Sequence, residues 1–331
     1  MNNAILLADK NSYAWDFSKK IRSYISKVRE EDIPLESVDI WKFKNGEIGA
    51  HVPENVRRKE VYFIHDSEKD PSQWWVELLL VKDLLLSASA ESVAFVLPNM
   101  LYSRQDRKDK PHVPISARAL ARSISPGLER IITMELHAPQ IQGFYPEEVP
   151  VDNLHAFPEV VRYLRTNHYD LLKNLVVLSP DLGSAPRTKS FLGRLEKAQE
   201  NDSQKQSYYL AICNKQRPRH GEVSSMELVV GDVEGRNVLI LDDIIDSGIT
   251  LVKAGEAVKA LGAQKLFCYG THGIFTEGTK KLTEIFDKVM TSNTHNKPWE
   301  GVEVIDVSPI FAEAVYRAHK GLSITELFGK V

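Results

Sequence analysis

Short apolar runs rich in β-branched residues recur along the chain and alternate with stretches of helical period. The runs predict strands at Ala4–Ala8, Val38–Phe43, Val61–His65, Val93–Pro98, Arg130–Leu136 and Leu175–Ser179, then at Tyr208–Cys213, Glu227–Val230, Val238–Asp242, Lys265–Tyr269, Lys288–Thr291 and Val302–Val307. Apolar residues three and four apart predict helices over Tyr13–Arg29, Trp74–Ser89, Ser116–Ile124, Ala185–Lys197, Leu251–Leu261 and Pro309–Lys320. Strands alternating with helices point to parallel sheets covered on both faces, an α/β protein. Glu77, Lys82 and Asp83 interrupt WWVELLLVKDLLLSA, which reads as a buried amphipathic helix and not as a membrane segment. Prolines and acids break the periodicity at Pro146–Asn153, the expected domain boundary. Glu196–Ser207, polar and poor in apolar anchors, reads as a surface extension. Both halves carry the same strand–helix alternation.

Composition narrows this picture. A chain of 331 residues, 43% hydrophobic and 26% charged, has material for two domain cores. The formal net charge of -3 argues against a partner held through nucleic-acid phosphates. Cys213 and Cys268, with no CxxC pair, suit a reducing compartment. No apolar run reaches membrane-spanning length and the first residues lack a signal-peptide pattern, so a cytoplasmic protein is expected.

The most informative segment is Asn237–Leu251, NVLILDDIIDSGITL. An apolar strand runs into Asp242 and Asp243, then into the turn Asp246-Ser247-Gly248-Ile249-Thr250, and a helical pattern opens. In open α/β sheets ligands sit at the carboxyl ends of the strands. Amides at the helix start, with the Ser247 and Thr250 hydroxyls, suit a phosphomonoester, and Gly248 lets the backbone approach it. The acids suit sugar hydroxyls or a metal. The same pattern also reads as an acidic helix cap after a strand. It resembles the ribose-5-phosphate motif of phosphoribosyltransferases and phosphoribosyl pyrophosphate synthetases, without separating the two.

Other segments separate them. PNMLYSRQDRKDKPHVPISAR (98–118), IITMELHAPQIQGF (131–144), FKNGE (43–47), SPDLGSAPR (179–187), NKQRPR (214–219) and THGIF (271–275) together resemble the ribose-phosphate pyrophosphokinase family. The resemblance implies two phosphoribosyltransferase-like domains, 1–152 and 153–308, with a C-terminal helix at about 309–328 packing on the first. It implies transfer of the β,γ-pyrophosphoryl group of ATP to ribose 5-phosphate, giving phosphoribosyl pyrophosphate and AMP. Arg104, Gln105, Asp106 and His137 would bind ATP. Phe43, Asn45 and Glu47 would face adenine from a neighbouring subunit, in a homo-oligomer of dimers that can stack into a hexamer. His137 and Asp181 match Mg²⁺ positions, and Lys215 and Arg217 match the catalytic loop. Asp242 and Asp243 would hold the ribose hydroxyls, and Asp246, Ser247, Gly248, Ile249 and Thr250 the 5-phosphate. The charge total thus conceals two cationic arms, Arg104–Arg122 and Lys215–Arg219.

The chain departs from the family pattern at Asn45, Glu135, Leu182-Gly183-Ser184 and the spacing of Asp-Ser-Gly-Ile-Thr. Asn55 before Arg57, and Pro111-His112, replace residues of the family's phosphate/ADP regulatory site, so weakened regulation is expected. Two other readings are a phosphoribosyltransferase and a catalytically silent synthetase-associated paralogue.

Overall fold

A computed structural model describes residues 1, 3–203, 205–215, 226–295 and 297–328, with side chains excepted at 214–215 and 226–229. The chain forms two compact units. Unit 1 comprises Met1–His155, Thr294–Lys297 and the C-terminal segment from Val307; unit 2 comprises Ala156–Asn293 and Pro298–Asp306.

Unit 1 is built on β1 (Ala4–Asp9), β2 (Leu35–Lys42), β3 (Ile48–His51), β4 (Glu60–Ile64), β5 (Ser92–Leu97), β6 (Arg130–Met134) and β7 (Val151–Leu154). Its helices are α1 (Tyr13–Val28), α2 (Pro71–Ser87), α3 (Ser116–Ile124) and, from the far end of the chain, α8 (Ser308–Lys320). Unit 2 contains β8 (Leu175–Ser179), β9 (Tyr209–Lys215), β10 (Met226–Val230), β11 (Asn237–Ile245), β12 (Lys265–Gly273), β13 (Lys288–Ser292) and β14 (Val302–Ile305). Around them lie α4 (Phe157–Asn167), α5 (Ala185–Ala198), α6 (Ile249–Ala260) and α7 (Lys280–Ile285).

The two sheets share one topology. Strand order is 3-2-1-4-5-6-7 in the first and 10-9-8-11-12-13-14 in the second. All neighbours are parallel except the edge pairs β2/β3 and β9/β10. Each chain half therefore reverses direction of winding at its first strand, and the crevice at the carboxyl ends there is where α/β sheets bind ligands. The central strand Leu175–Ser179 is buried throughout, which accounts for its unbroken apolar run from Leu175 to Leu178.

The structure adds elements that the apolar pattern does not announce. β3 (IGAH) has one large apolar residue, and pairs because Trp41 lies across Gly49: a Cβ at Gly49 would come 2.4 Å from that ring. β7 (VDNL) is an edge strand held by polar contacts, with Arg130 Nη1 2.6 Å from Asp152 Oδ2 and the Leu136 amide donating to Asn153 Oδ1. The stretch expected to hold the domain boundary thus runs into a strand of the first sheet, and unit 1 continues to His155. β11 runs to Ile245, three residues past its expected end, because β12 continues beside it to Gly273. Gly270 makes room there, its Cβ position falling 2.3 Å from Ile245.

Helix α8 packs on α1 within unit 1. Phe311, fully buried, meets Phe17 edge-on at 5.3 Å, and Arg29 donates to both Glu313 oxygens at 2.8 and 2.5 Å. Phe311→Ala should cost about 3–5 kcal/mol in urea unfolding; a loss below about 1 kcal/mol would mean that α8 adds little to this core.

Candidate active site

In unit 1 the expected residues lie at the carboxyl ends of three strands. The loop between β5 and α3 carries Arg104, which is exposed, while Ser103 beneath it is buried. Gln105 and Asp106 are held by the protein: Ser116 Oγ donates to Gln105 Oε1 at 2.8 Å, and Gln140 Nε2 donates to Asp106 Oδ2 at 2.9 Å. Gln140 belongs to the 3₁₀ turn Pro139–Phe144, which begins two residues after His137. His137 is exposed after β6. Two residues earlier Glu135 is buried in the left-handed region (φ 44°), with its carboxylate 3.3 Å from His155 Nδ1. A non-glycine residue held there costs of order 1–3 kcal/mol, a strain typical of functional turns.

The β2–β3 hairpin turns at Phe43–Glu47, closed by the Phe43 amide on the Glu47 carbonyl (2.8 Å) with Gly46 at φ +92°. Asn45 and Glu47 bond to each other: Asn45 Nδ2 donates to Glu47 Oε2 at 2.8 Å, and the Glu47 amide to Asn45 Oδ1 at 3.2 Å. Phe43 (51% exposed) and Trp41 (43%) pack edge-to-face and leave an aromatic surface open.

In unit 2, Asp181 follows β8 and its Oδ1 accepts from the Ser184 amide at 2.8 Å, starting α5. Asp242 and Asp243, expected to act alike on sugar hydroxyls, differ. Both lie inside β11, where successive side chains alternate faces. Asp243 is buried and Arg187 Nη1 stands 3.2 Å from its Oδ1. Asp242 is half-buried, and its Oδ1 accepts from the Asp243 amide at 2.9 Å. Burial, then the neighbouring Asp243 charge, hold the Asp242 carboxyl well above the ordinary carboxylate range, with Arg187 opposing.

The phosphate-type turn has the expected form. Gly248 sits at φ +74° as the N-cap of α6 and its Cβ position lies 3.0 Å from Leu282, so a side chain there would be strained and crowded. The first helical bond runs from Val252 to Gly248, so the amides of Ile249, Thr250 and Leu251 lie ahead of the ladder. Thr276 steadies the turn, its Oγ1 donating to Asp246 Oδ1 at 2.7 Å. The equivalent helix of unit 1, α2, is different: the Asp70 carboxylate accepts from the Ser72 and Gln73 amides at 2.9 and 3.2 Å. Unit 1 supplies its own anion where unit 2 ends in a glycine.

Lys215 ends β9, its side chain outside those described, and Arg217 lies outside the described residues. Among the described residues no group of three or more His, Cys, Asp or Glu could hold a metal by itself. No helix among them is long and apolar enough to cross a membrane.

Residues 10–126 match the N-terminal domain of ribose phosphate pyrophosphokinase, and 171–329 the phosphoribosyl synthetase-associated domain. Ribose-phosphate pyrophosphokinase 2 of Saccharomyces cerevisiae is 35% identical over 89% of this chain and 90% of its own length. The Brucella melitensis enzyme of that name is 36% identical over 90% and 93%. The chain belongs to the ribose-phosphate pyrophosphokinase family. A solved phosphoribosylpyrophosphate synthetase from Mycobacterium smegmatis superposes with a TM-score of 0.79, at 27% identity, over 96% of this chain and 99% of that one. The family resemblance read from the motifs and the α/β fold both hold. The motif reading missed partners of its own residues: Gln140, Arg187 and Thr276. The first two lie inside the quoted motifs, and Thr276 directly follows one.

Because native Asp242 keeps its proton at pH values where the unfolded chain has lost it, stability falls as pH rises from about 4. Asn at this position keeps the acceptor for the Asp243 amide and adds a donor. Asp242→Asn should therefore raise stability at pH 7 by on the order of 1 kcal/mol, the gain vanishing near pH 4. Urea midpoints across this range check it; a destabilised variant at pH 7 contradicts it.

Proposed function

We propose that this chain is a ribose-phosphate pyrophosphokinase, moving the β,γ-pyrophosphoryl group of ATP to the anomeric oxygen of ribose 5-phosphate. An oxygen–β-phosphorus bond forms, the α–β bridge breaks, and AMP leaves with phosphoribosyl pyrophosphate as product. The observation that carries this reading is the glycine-capped start of α6 behind a half-buried acid, Asp242, on a chain whose other unit carries the basic Arg104 loop. A phosphoribosyltransferase reading leaves that loop without a role.

Such transfer rests on position and charge neutralisation. The α6 amides with Ser247 and Thr250 receive the 5-phosphate. Asp242 accepts from ribose hydroxyls, while Asp243 acts through Arg187 as a positioning residue. Arg104 offers a planar cation to base and phosphates, with Gln105 and Asp106 fixed behind it by Ser116 and Gln140. Lys215 and Arg217 neutralise the transferring diphosphate. Mg²⁺ suits a carboxylate such as Asp181 in unit 2, whose Oδ1 accepts from the Ser184 amide; the resemblance also assigns it His137, which is exposed in unit 1. So sparse a set suits an ion held largely by water and substrate phosphates, whose charge neutralisation it would supply.

The site is shared between copies of the chain. Phe43 and Arg104 follow strands three spacings apart in one sheet, about 14 Å, which favours an adenine partner from a second copy. The open aromatic pair Trp41–Phe43 is a surface that such an assembly would cover.

Incubation with ATP, Mg²⁺ and ribose 5-phosphate should yield AMP and phosphoribosyl pyrophosphate in equal amounts. No AMP at any phosphate concentration would favour the silent paralogue. Lys215→Ala should lower kcat by about 10²-fold or more with smaller effects on KM, and an unchanged kcat removes Lys215 from the mechanism. Mixing Phe43→Ala/Glu47→Ala with Arg104→Ala chains under subunit exchange should restore up to about a quarter of the activity. A mixture no more active than its parts would place the whole site in one chain.

A further inference from the structure

A closed ring of hydrogen bonds sits under the root of the Arg104 loop and uses a residue from the far end of the sequence. Residues 294–297 follow β13 and precede β14, yet belong to unit 1. Within them His295 is buried, and both its ring nitrogens have partners. Asn99 Nδ2 stands 2.7 Å from Nε2, and Glu68 Oε1 stands 3.1 Å from Nδ1. An amide nitrogen only donates, so Nε2 accepts and Nδ1 carries the proton that Glu68 receives.

The ring closes through the neighbouring residues. Asn99 donates its backbone N–H to Ser67 Oγ at 3.1 Å, and Ser67 Oγ donates to the Asn99 carbonyl at 3.3 Å. Ser67 and Glu68 are adjacent in the loop after β4, and the Glu68 amide is in turn held by Asp66 Oδ1 at 2.9 Å. Ser67, Asn99 and His295 are each no more than 5% exposed, so water does not readily replace a bond lost among them.

Asn99 stands two residues past β5 and five before Arg104. Met100 is also pinned, buried with Tyr145 Oη 3.4 Å from its sulfur, and Tyr102 meets Trp75 edge-on at 4.8 Å. Arg104 therefore projects from a base fixed on one side by packing and on the other by His295. Neither backbone hydrogen bonding nor an apolar contact replaces the imidazole, because it must accept at one nitrogen and donate at the other.

We propose that His295 is a positioning residue for nucleotide binding, holding Asn99 and thereby the orientation of the Arg104 loop. It touches no substrate; its effect runs through Asn99. The proposal rests on the assignment of ATP to that loop.

Steady-state kinetics of His295→Leu and Asn99→Leu test it, with Glu68→Gln as the conservative variant that keeps an oxygen for Nδ1–H. The two disruptive variants should raise KM for ATP by about tenfold or more while KM for ribose 5-phosphate stays within about twofold. Their double variant should be no worse than the more affected single, because both break one ring. Glu68→Gln should stay within about threefold of the native KM for ATP. Equal rises in both KM values, or no rise for ATP, would overturn the proposal. Amide exchange supplies a readout without turnover: in His295→Leu, residues 99–110 should lose protection while β5 and β6 keep theirs. If the native chain makes no AMP, the functional reading fails and this exchange pattern still decides the positioning claim. If His295→Leu does not fold, Asn99→Leu is read in the same two assays, and unchanged KM and exchange there overturn the proposal.

Discussion

A parallel sheet puts every strand's carboxyl end on one rim, and each crossover helix begins there with amides that have no partner in its own ladder. That constraint operates twice in this chain, because both units repeat the same strand order. The two halves answer it in opposite ways after their fourth strand. In unit 1 Asp70 places a carboxylate on the first amides of α2. In unit 2 the corresponding cap is Gly248, which brings no anion. A helix start capped by a glycine, beside hydroxyls and behind a half-buried acid, suits a phosphate on a sugar.

The same contrast extends to the acids behind the two turns. In unit 1, Lys69 bridges Asp9 Oδ2 at 3.0 Å and Glu77 Oε2 at 2.7 Å, so one ammonium serves two carboxylates. Burial drives the nearby His65 down to about 3, which keeps it neutral in that network. In unit 2, Arg187 serves Asp243 and leaves Asp242 with its charge disfavoured. Such a carboxyl is stabilised by hydroxyl donors arriving with a ligand, at a cost to the empty protein. Under the proposed function, unit 1 would take the nucleotide, with exposed residues after β2, β5 and β6.

What was legible in the sequence follows from the same physics. The buried central strand Leu175–Ser179 is apolar over its first four residues, and the expected range matches the observed one. The edge strands β3 and β7 of the first sheet escaped because each carries few apolar residues: β7 depends on Arg130 and Asn153, and β3 on a tryptophan over a glycine. The turn Asp246–Thr250 was legible because its backbone demands short-range spacing and a glycine at positive φ. The pairings of Asp243 with Arg187 and of Asn99 with His295 span long separations in the chain, 196 residues for the latter, and leave no local pattern.

The division of labour between the two units is tested most directly by counting sugar-phosphate sites. With α,β-methylene-ATP and Mg²⁺ present, so that the α–β bridge cannot break, calorimetric titration of ribose 5-phosphate should give one bound molecule per chain. The same titration of Gly248→Val should show no binding. Two molecules per chain, or binding that survives at Gly248→Val, would contradict the account.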